Sequence, residues 1–230
     1  MTETNPVGTI ARRGCRRADL VKSDEELHQN QVVQGVVAPL VQLKIVRPDN
    51  YEEELPADGE AMGELLVRGP TVCSKYYGVE AKHKFFRGWL LTGDIASIHS
   101  DRRLVLKDRS KDLIKSGGEW ISSVLLENEI SAMDGVDKAA VVGVKHPKFQ
   151  ERPIVVVEMK GDAAQPTLEQ IREHLMATGK VSKFQLPDDV IFDKIPLTGT
   201  GKMSKKVLRD GLEKQKYVLP EFRKAAQNED

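Results

Sequence analysis

The chain has 230 residues, of which 30% are charged and 40% hydrophobic, and its 35 basic side chains balance 35 acidic ones. A net charge of zero supplies no bulk field toward nucleic acid or an anionic bilayer, so partners must be selected by local sites. The length allows one large or two modest domains, each able to bury a core.

The longest apolar runs, "VVAPLVQL" and "PIVVVEM", fall well short of the roughly 20 residues that span a bilayer, so no transmembrane segment is expected. The N-terminal "MTETNPVGTIARRGCRR" lacks the apolar core and cleavage pattern of a leader, and the C-terminal "QNED" is no peroxisomal address. Cys15 and Cys73 stand far apart without CxxC spacing, which fits a reducing compartment. The expectation is a cytoplasmic protein. No HExxH pair is present among the histidines, so a zinc site is not expected.

In chain order, the residues before about 110 read as short β-type segments, "VQLKIVR", "GELLVRG" and "RRLVLKD", divided by turn signals such as "RPDN" and "LPADGE". They suggest a small twisted sheet or barrel. From about 112 the texture changes to helix "SVLLENEISAM", strands "KAAVVGV" and "PIVVVEM", helix "TLEQIREHLMA", strand "DVIFDKI" and helix "MSKKVLRDGLEK". Thr167 and Gln170 form a capping-box pattern, with Leu168, Ile171 and Leu175 on one helical face. The fold class expected is α+β: a small β-rich subdomain over 1–109, then a compact domain with a central, mostly buried sheet over 110–230. The charged "KDRSKD" marks the joint. The last residues, "FRKAAQNED", are expected to fray.

Four stretches offer chemistry. "MTET" sets two hydroxyls around Glu3, groups able to hold a phosphate oxygen and Mg²⁺ together, although four terminal residues alone say little. "GWLLTGD" ends on Asp94, which could accept two hydrogen bonds from a vicinal diol or could simply be a strand-end carboxylate. "DRSKDLIKSGGEW" crowds Arg109, Lys111 and Lys115 among carboxylates; such pairs on a surface stabilise little. Its Gly117-Gly118 pair, placed at a strand-to-helix joint, points instead to positive φ or to close approach of another chain or ligand. "LTGTGKMSKK" invites comparison with a Walker A loop, but Pro196 and Met203 occupy the positions where that motif needs glycine and a hydroxyl. What remains is Lys202 on a flexible turn, either a solvated lysine or a charge presented to an anion.

Taken in order, "MTET", "GWLLTGD", "DRSKDLIKSGGEWISSVLLENEI" and "PLTGTGK" resemble successive motifs of the AMP-forming acyl-adenylate superfamily, and the likeness spans nearly the whole chain. "DRSKDLIKSGGEWIS" followed by "GVKHPKFQERP" is most similar to the medium-chain fatty acyl-CoA ligase branch, whose relatives also activate short thioether-bearing acids. The resemblance implies activation of a carboxylic acid with ATP and Mg²⁺ to acyl-AMP, then displacement of AMP by coenzyme A. It assigns Lys202 to the first step, and Lys115 with Gly117 and Gly118 to the loop that turns inward for the second. It gives Asp94 the ribose hydroxyls, with Arg109 assisting; Thr2 a phosphate contact; Glu3 the metal; and Lys111 the hinge of a mobile C-terminal domain. Glu127, in the helix after the glycine loop, is read as structural.

The chain departs from that pattern by lacking the region carrying the Ser/Thr/Gly-rich phosphate loop and most of the acyl tunnel. The resemblance therefore implies the C-terminal part of a ligase, inactive without its N-terminal part as partner. The alternative is a non-catalytic accessory module binding CoA or a nucleotide. Nucleic-acid binding through "GKMSKK" is disfavoured, because lysines alternate with acids along "KKVLRDGLEK" and net charge is zero.

Overall fold

Turn residues and apolar runs build two compact units, Met1–Lys111 and Asp112–Asp230, in a computed structural model that describes residues 2–5, 7–11, 23 and 33–214. Met1, Cys15 and the C-terminal "FRKAAQNED" lie outside the described residues. Among those described, no helix is long and apolar enough to cross a membrane.

In the first unit, β1 (Thr9–Ile10) pairs antiparallel with β2 (Val36–Val37). The principal sheet contains β3 (Gln42–Arg47), β4 (Asn50–Glu54), β5 (Gly63–Arg68), β6 (Phe85–Phe86), β7 (Trp89–Ile98) and β8 (Leu104–Arg109). Its order is β4-β3-β5-β7-β6, with β8 also on β7, so the sheet is open rather than closed into a barrel. "GELLVRG" reads as a continuous apolar run because β5 is buried on both faces. Leu65 and Val67 join one core cluster with Ile45, Ala96 and Leu104; Leu66 joins the other with Val46 and Leu91.

The second unit opens on β9 (Ile114–Ser116) and β10 (Glu119–Ile121), followed by α1 (Ser123–Ser131), β11 (Val136–His146) and β12 (Gln150–Met159). After them come α2 (Leu168–Ala177), β13 (Asp189–Phe192) and α3 (Lys205–Lys214). The sheet order is β10-β9-β12-β11, and β13 runs parallel to β12, as the crossover through α2 requires. Helix α1 starts where the Ser122 hydroxyl accepts from the Leu125 N–H at 3.3 Å. Helix α2 has the expected capping box and buries Ile171 and Leu175 against the apolar β11 and β12.

Two elements differ from the sequence reading. The stretch "DVIFDKI" leaves the sheet after Phe192: the Asp193 N–H still donates to the Val157 carbonyl at 3.2 Å, but the Ile195 N–H, the next to face β12, donates to the Glu158 carboxylate at 3.1 Å instead of continuing the ladder. The Gly117-Gly118 pair is not a strand-to-helix joint. It is the tip of the β9–β10 hairpin, and the helix begins only after β10.

Ile171 is fully buried, so Ile171→Ala is expected to lower unfolding free energy by about 2–5 kcal/mol. Thr167→Ala removes only a cap and should cost about 1 kcal/mol. Urea titration followed by circular dichroism compares the two.

Candidate active site

Asp94 lies on β7 directly opposite Arg109 on β8, and their side chains meet at 3.0 Å. Three residues of β7, Thr92 to Asp94, face the single Leu65 of β5, an irregularity that re-aims the strand at the carboxylate. Thr92 stabilises it: its hydroxyl donates to the Leu65 carbonyl at 2.9 Å and accepts the Asp94 N–H at 3.1 Å. Gly93 sits at φ +74°, where a Cβ would be strained. Burial pushes the Asp94 carboxyl above the usual carboxylate range against the opposing pull of Arg109, and the neighbouring Glu3 charge adds to the rise. Asp94 also lines a groove of about 280 Å³ with Thr4, Gly8, Leu65, Val67 and Thr92.

Thr2 and Glu3 occupy a single 3₁₀ turn, Thr2–Thr4. The turn is tied down on two sides: the Cys73 N–H donates to the Glu3 carbonyl at 2.9 Å, and the Tyr76 hydroxyl donates to the Glu3 carboxylate at 3.1 Å. Among the described residues no group of three or more His, Cys, Asp or Glu side chains is disposed to hold a metal ion. Glu3 brings a single carboxylate to this turn.

Lys115, Gly117 and Gly118 share the β9–β10 hairpin. Both glycines have positive φ, +55° and +89°, the signature of a two-residue type I′ turn. A Cβ on Gly117 would crowd Phe149 and Phe184 at 3.2 and 3.3 Å, whereas one on Gly118 would meet nothing within 4 Å. Space for another group thus exists beside Gly118. The hairpin is held from below: the Lys115 N–H donates to Glu151 at 2.9 Å, and the Gly117 N–H donates to the Phe149 carbonyl at 2.9 Å. The Lys115 ammonium lies 5.4 Å from the Trp120 ring centre, within cation–π range.

Lys202 stands on an exposed turn, separate from that hairpin in sequence and fold. The turn closes on itself: the Thr198 N–H donates to the Lys202 carbonyl at 2.7 Å, and the Lys202 N–H to the Thr198 hydroxyl at 3.1 Å. Leu197 and Met203 form a bridge at its base. Lys111 is exposed at the last position of the first unit.

Three side chains that organise these pieces escaped the sequence reading. The buried Glu64 carboxylate accepts the Gly93 N–H at 3.0 Å and the Ser110 hydroxyl, joining the strand of Asp94 to the end of the strand of Arg109. Burial pushes its carboxyl up, opposed by those two bonds. Arg152, also buried, donates to both oxygens of Asp188 at 2.7 and 2.9 Å, to the carbonyls of Phe184 and Leu186, and to the Ser116 hydroxyl at 3.2 Å. It underpins the glycine hairpin. Lys205 donates to the Ser123 hydroxyl and pairs with Glu127, each at 2.7 Å. The available signals were charges heading apolar strands, one in "GELLVRG" and two in "ERPIVVVE", and a lysine at a helix N-terminus.

Residues 125–202 match the family model of the AMP-binding enzyme C-terminal domain. Over 91% of this chain and 38% of the relative, the sequence is 42% identical to the 3-methylmercaptopropionyl-CoA ligase of Ruegeria lacuscaerulensis. It is 41% identical, with the same shares, to the long-chain-fatty-acid–CoA ligase of Thermus thermophilus. ATP-bound MatB from Rhodopseudomonas palustris superposes with a TM-score of 0.68 at 32% identity, covering 78% of this chain and 35% of that one. The class so defined is that of the acyl-adenylate-forming enzymes. Within it, the chain belongs to the AMP-forming acyl-CoA synthetase family and corresponds to its C-terminal part. It spans little more than a third of the length of these curated relatives.

Because burial raises the folded pKa of Glu64 above its ordinary value of about 4.5, its favourable contribution is complete below that pH and is lost as pH rises through the folded pKa. Glu64→Gln removes this titration while Asp94 remains common to both proteins. The urea midpoint of the variant relative to wild type should therefore rise from pH 4 to pH 7; a constant difference would show that Glu64 titrates normally.

Proposed function

We propose that this chain is the C-terminal part of a ligase that activates a fatty or related carboxylic acid as acyl-AMP and transfers it to coenzyme A. In the first step an oxygen of the acid's carboxylate attacks the α-phosphorus of ATP. The bond from that phosphorus to the bridging oxygen breaks and pyrophosphate leaves. In the second step the sulfur of coenzyme A attacks the acyl carbon, the acyl–oxygen bond breaks, AMP leaves and the thiol proton passes to water.

The observation that carries this reading is the Asp94–Arg109 pair, a largely desolvated carboxylate aimed by a strand irregularity and engaged by one guanidinium. Its remaining lone pairs suit a vicinal diol, and charge strengthens each such bond. Thr2 contacts phosphate in this scheme. Glu3 supplies one ligand to Mg²⁺, whose chemistry when bound is to neutralise charge on the phosphates. Lys202 brings a compact positive charge to the α-phosphate as negative charge accumulates there. Lys115 and the Gly117-Gly118 turn serve the thioester step, the open space at Gly118 fitting a thin thiol-bearing arm. Lys111 acts as the hinge that exchanges the two faces. The acids named for the relatives, a short thioether acid and long-chain fatty acids, favour an aliphatic acyl group.

The chain, alone and extended upstream in its own reading frame, is to be assayed with octanoate, ATP, Mg²⁺ and coenzyme A. Activity is expected only in the extended form. Lys202→Ala should lower pyrophosphate release by about 10²–10³-fold, and Gly118→Leu should spare that step while abolishing thioester formation. AMP release by neither form with a range of carboxylates would replace this reading with that of a non-catalytic binding module.

A further inference from the structure

Helix α3 begins with two lysines, Lys205 and Lys206, at the end where the helix dipole repels cations. Lys206 is exposed, but the Lys205 side chain is only 10% exposed. A cation placed both out of water and at the wrong end of a helix must be held by something stronger than propensity. That something is α1: Lys205 Nζ lies 2.7 Å from Glu127 Oε1 and donates to the Ser123 hydroxyl at 2.7 Å. Glu127, itself buried, also accepts the Val141 N–H at 2.7 Å, so the ion pair is fastened to β11, the end strand of the sheet order, as well.

The position of this lock matters because of what precedes it. Lys202 lies three residues upstream, on a turn whose Gly199 and Gly201 would have nothing within 4 Å of an added Cβ. Neither glycine packs on another element, and the bonds that close the turn are internal to it. Definition must come from the stem, and the stem is fixed at three successive residues: Met203 packs on Ala140, Val156 and Ile195; the Ser204 N–H donates to the Pro196 carbonyl at 2.8 Å; and Lys205 is bonded into α1. Lys205 contributes the one charged attachment among these.

We propose that Lys205 is a positioning residue for Lys202: its buried pairing with Glu127 and Ser123 fixes the stem of the turn and so the place at which the Lys202 ammonium is presented. The proposal rests on the reading of Lys202 as the group that serves adenylate formation. A role confined to one turn has a consequence that general stabilisation does not, namely that the two half-reactions separate.

The test uses the extended protein and the variants Lys205→Met, Lys205→Arg and the charge-neutral pair Glu127→Gln/Lys205→Met, the last guarding against misfolding around an unpaired buried carboxylate. Pyrophosphate release from octanoate and MgATP reads the first half-reaction; octanoyl-CoA formed from supplied octanoyl-AMP and coenzyme A reads the second. Both Met-containing variants should lose about 100-fold in kcat of the first, the scale of a 1 Å misplacement. KM and the second half-reaction should stay near wild type, and Lys205→Arg should recover most of the loss. A parallel fall in both half-reactions, or no fall in the first, overturns the proposal. Hydrogen exchange on the chain itself supplies a readout independent of activity. The amides of Gly201 and Lys202 should exchange about tenfold faster in the Met-containing variants, while those of Lys115 and Gly117 hold. Unchanged exchange at the turn overturns the proposal even if wild type fails both half-reactions, an outcome that would separately defeat the functional reading.

Discussion

A carboxylate taken out of water must be surrounded by donors, and each unit of this chain is organised around one that is. In the first unit Glu64 collects the Gly93 N–H and the Ser110 hydroxyl, while the Ser110 N–H donates back to the Gly93 carbonyl at 3.0 Å. Those bonds clamp the two strand segments that bring Asp94 against Arg109. In the second unit Glu127 collects the Val141 N–H and the Lys205 ammonium, joining a helix, the sheet strand β11 and the helix that follows the Lys202 turn. Losing one partner in either place leaves charge stranded in a poorly solvated setting, so the surrounding backbone is held more firmly than its own hydrogen bonds require. Rigid placement of the candidate site groups is thereby obtained from buried carboxylates outside that set.

Much of the fold was legible from periodicity. "KAAVVGV" and "PIVVVEM" are apolar without alternation, and they form β11 and β12, neighbours in the central sheet and mostly buried along their lengths. The capping box at Thr167 marked the start of α2 because both of its bonds are local in sequence. Strand β7 was harder to see. Its ten residues include Thr92, Gly93 and Asp94, a stretch that reads as a turn and is an irregularity within a continuous strand. Strand β10 was hidden for a related reason: three residues after a diglycine look like the run-in to a helix until the pairing of Ile121 with Ile114 closes the hairpin.

The candidate site divides along the same line. Asp94, Arg109, Gly117, Gly118 and Lys202 stand out in sequence because these candidate positions carry residue types that their local surroundings do not need. Adjacent glycines and a carboxylate after Gly93 cost backbone entropy or burial without any local return. Their supports do not stand out. Glu64, Arg152 and Lys205 earn their positions through partners 46, 36 and 82 residues away, Ser110, Asp188 and Ser123. Long-range complementarity of that kind leaves no periodicity, and only the chemical oddity of a charge at the head of an apolar strand, or of a lysine at a helix N-terminus, hints at it.

The second unit places its two candidate turns on supports that, among the contacts described, share no side chain. The glycine hairpin rests on Arg152, which gathers Ser116, Asp188 and the carbonyls of Phe184 and Leu186 and lies against the rings of Phe149 and Phe184. The lysine turn rests on Lys205, Met203 and the Pro196 carbonyl. Between them stands the shared core of β11 and β12, whose close packing resists deformation. Under the proposed function, in which one turn serves each of two successive steps, supports without a common side chain let each turn be shaped for its own step, and motion between steps is left to the domain as a whole.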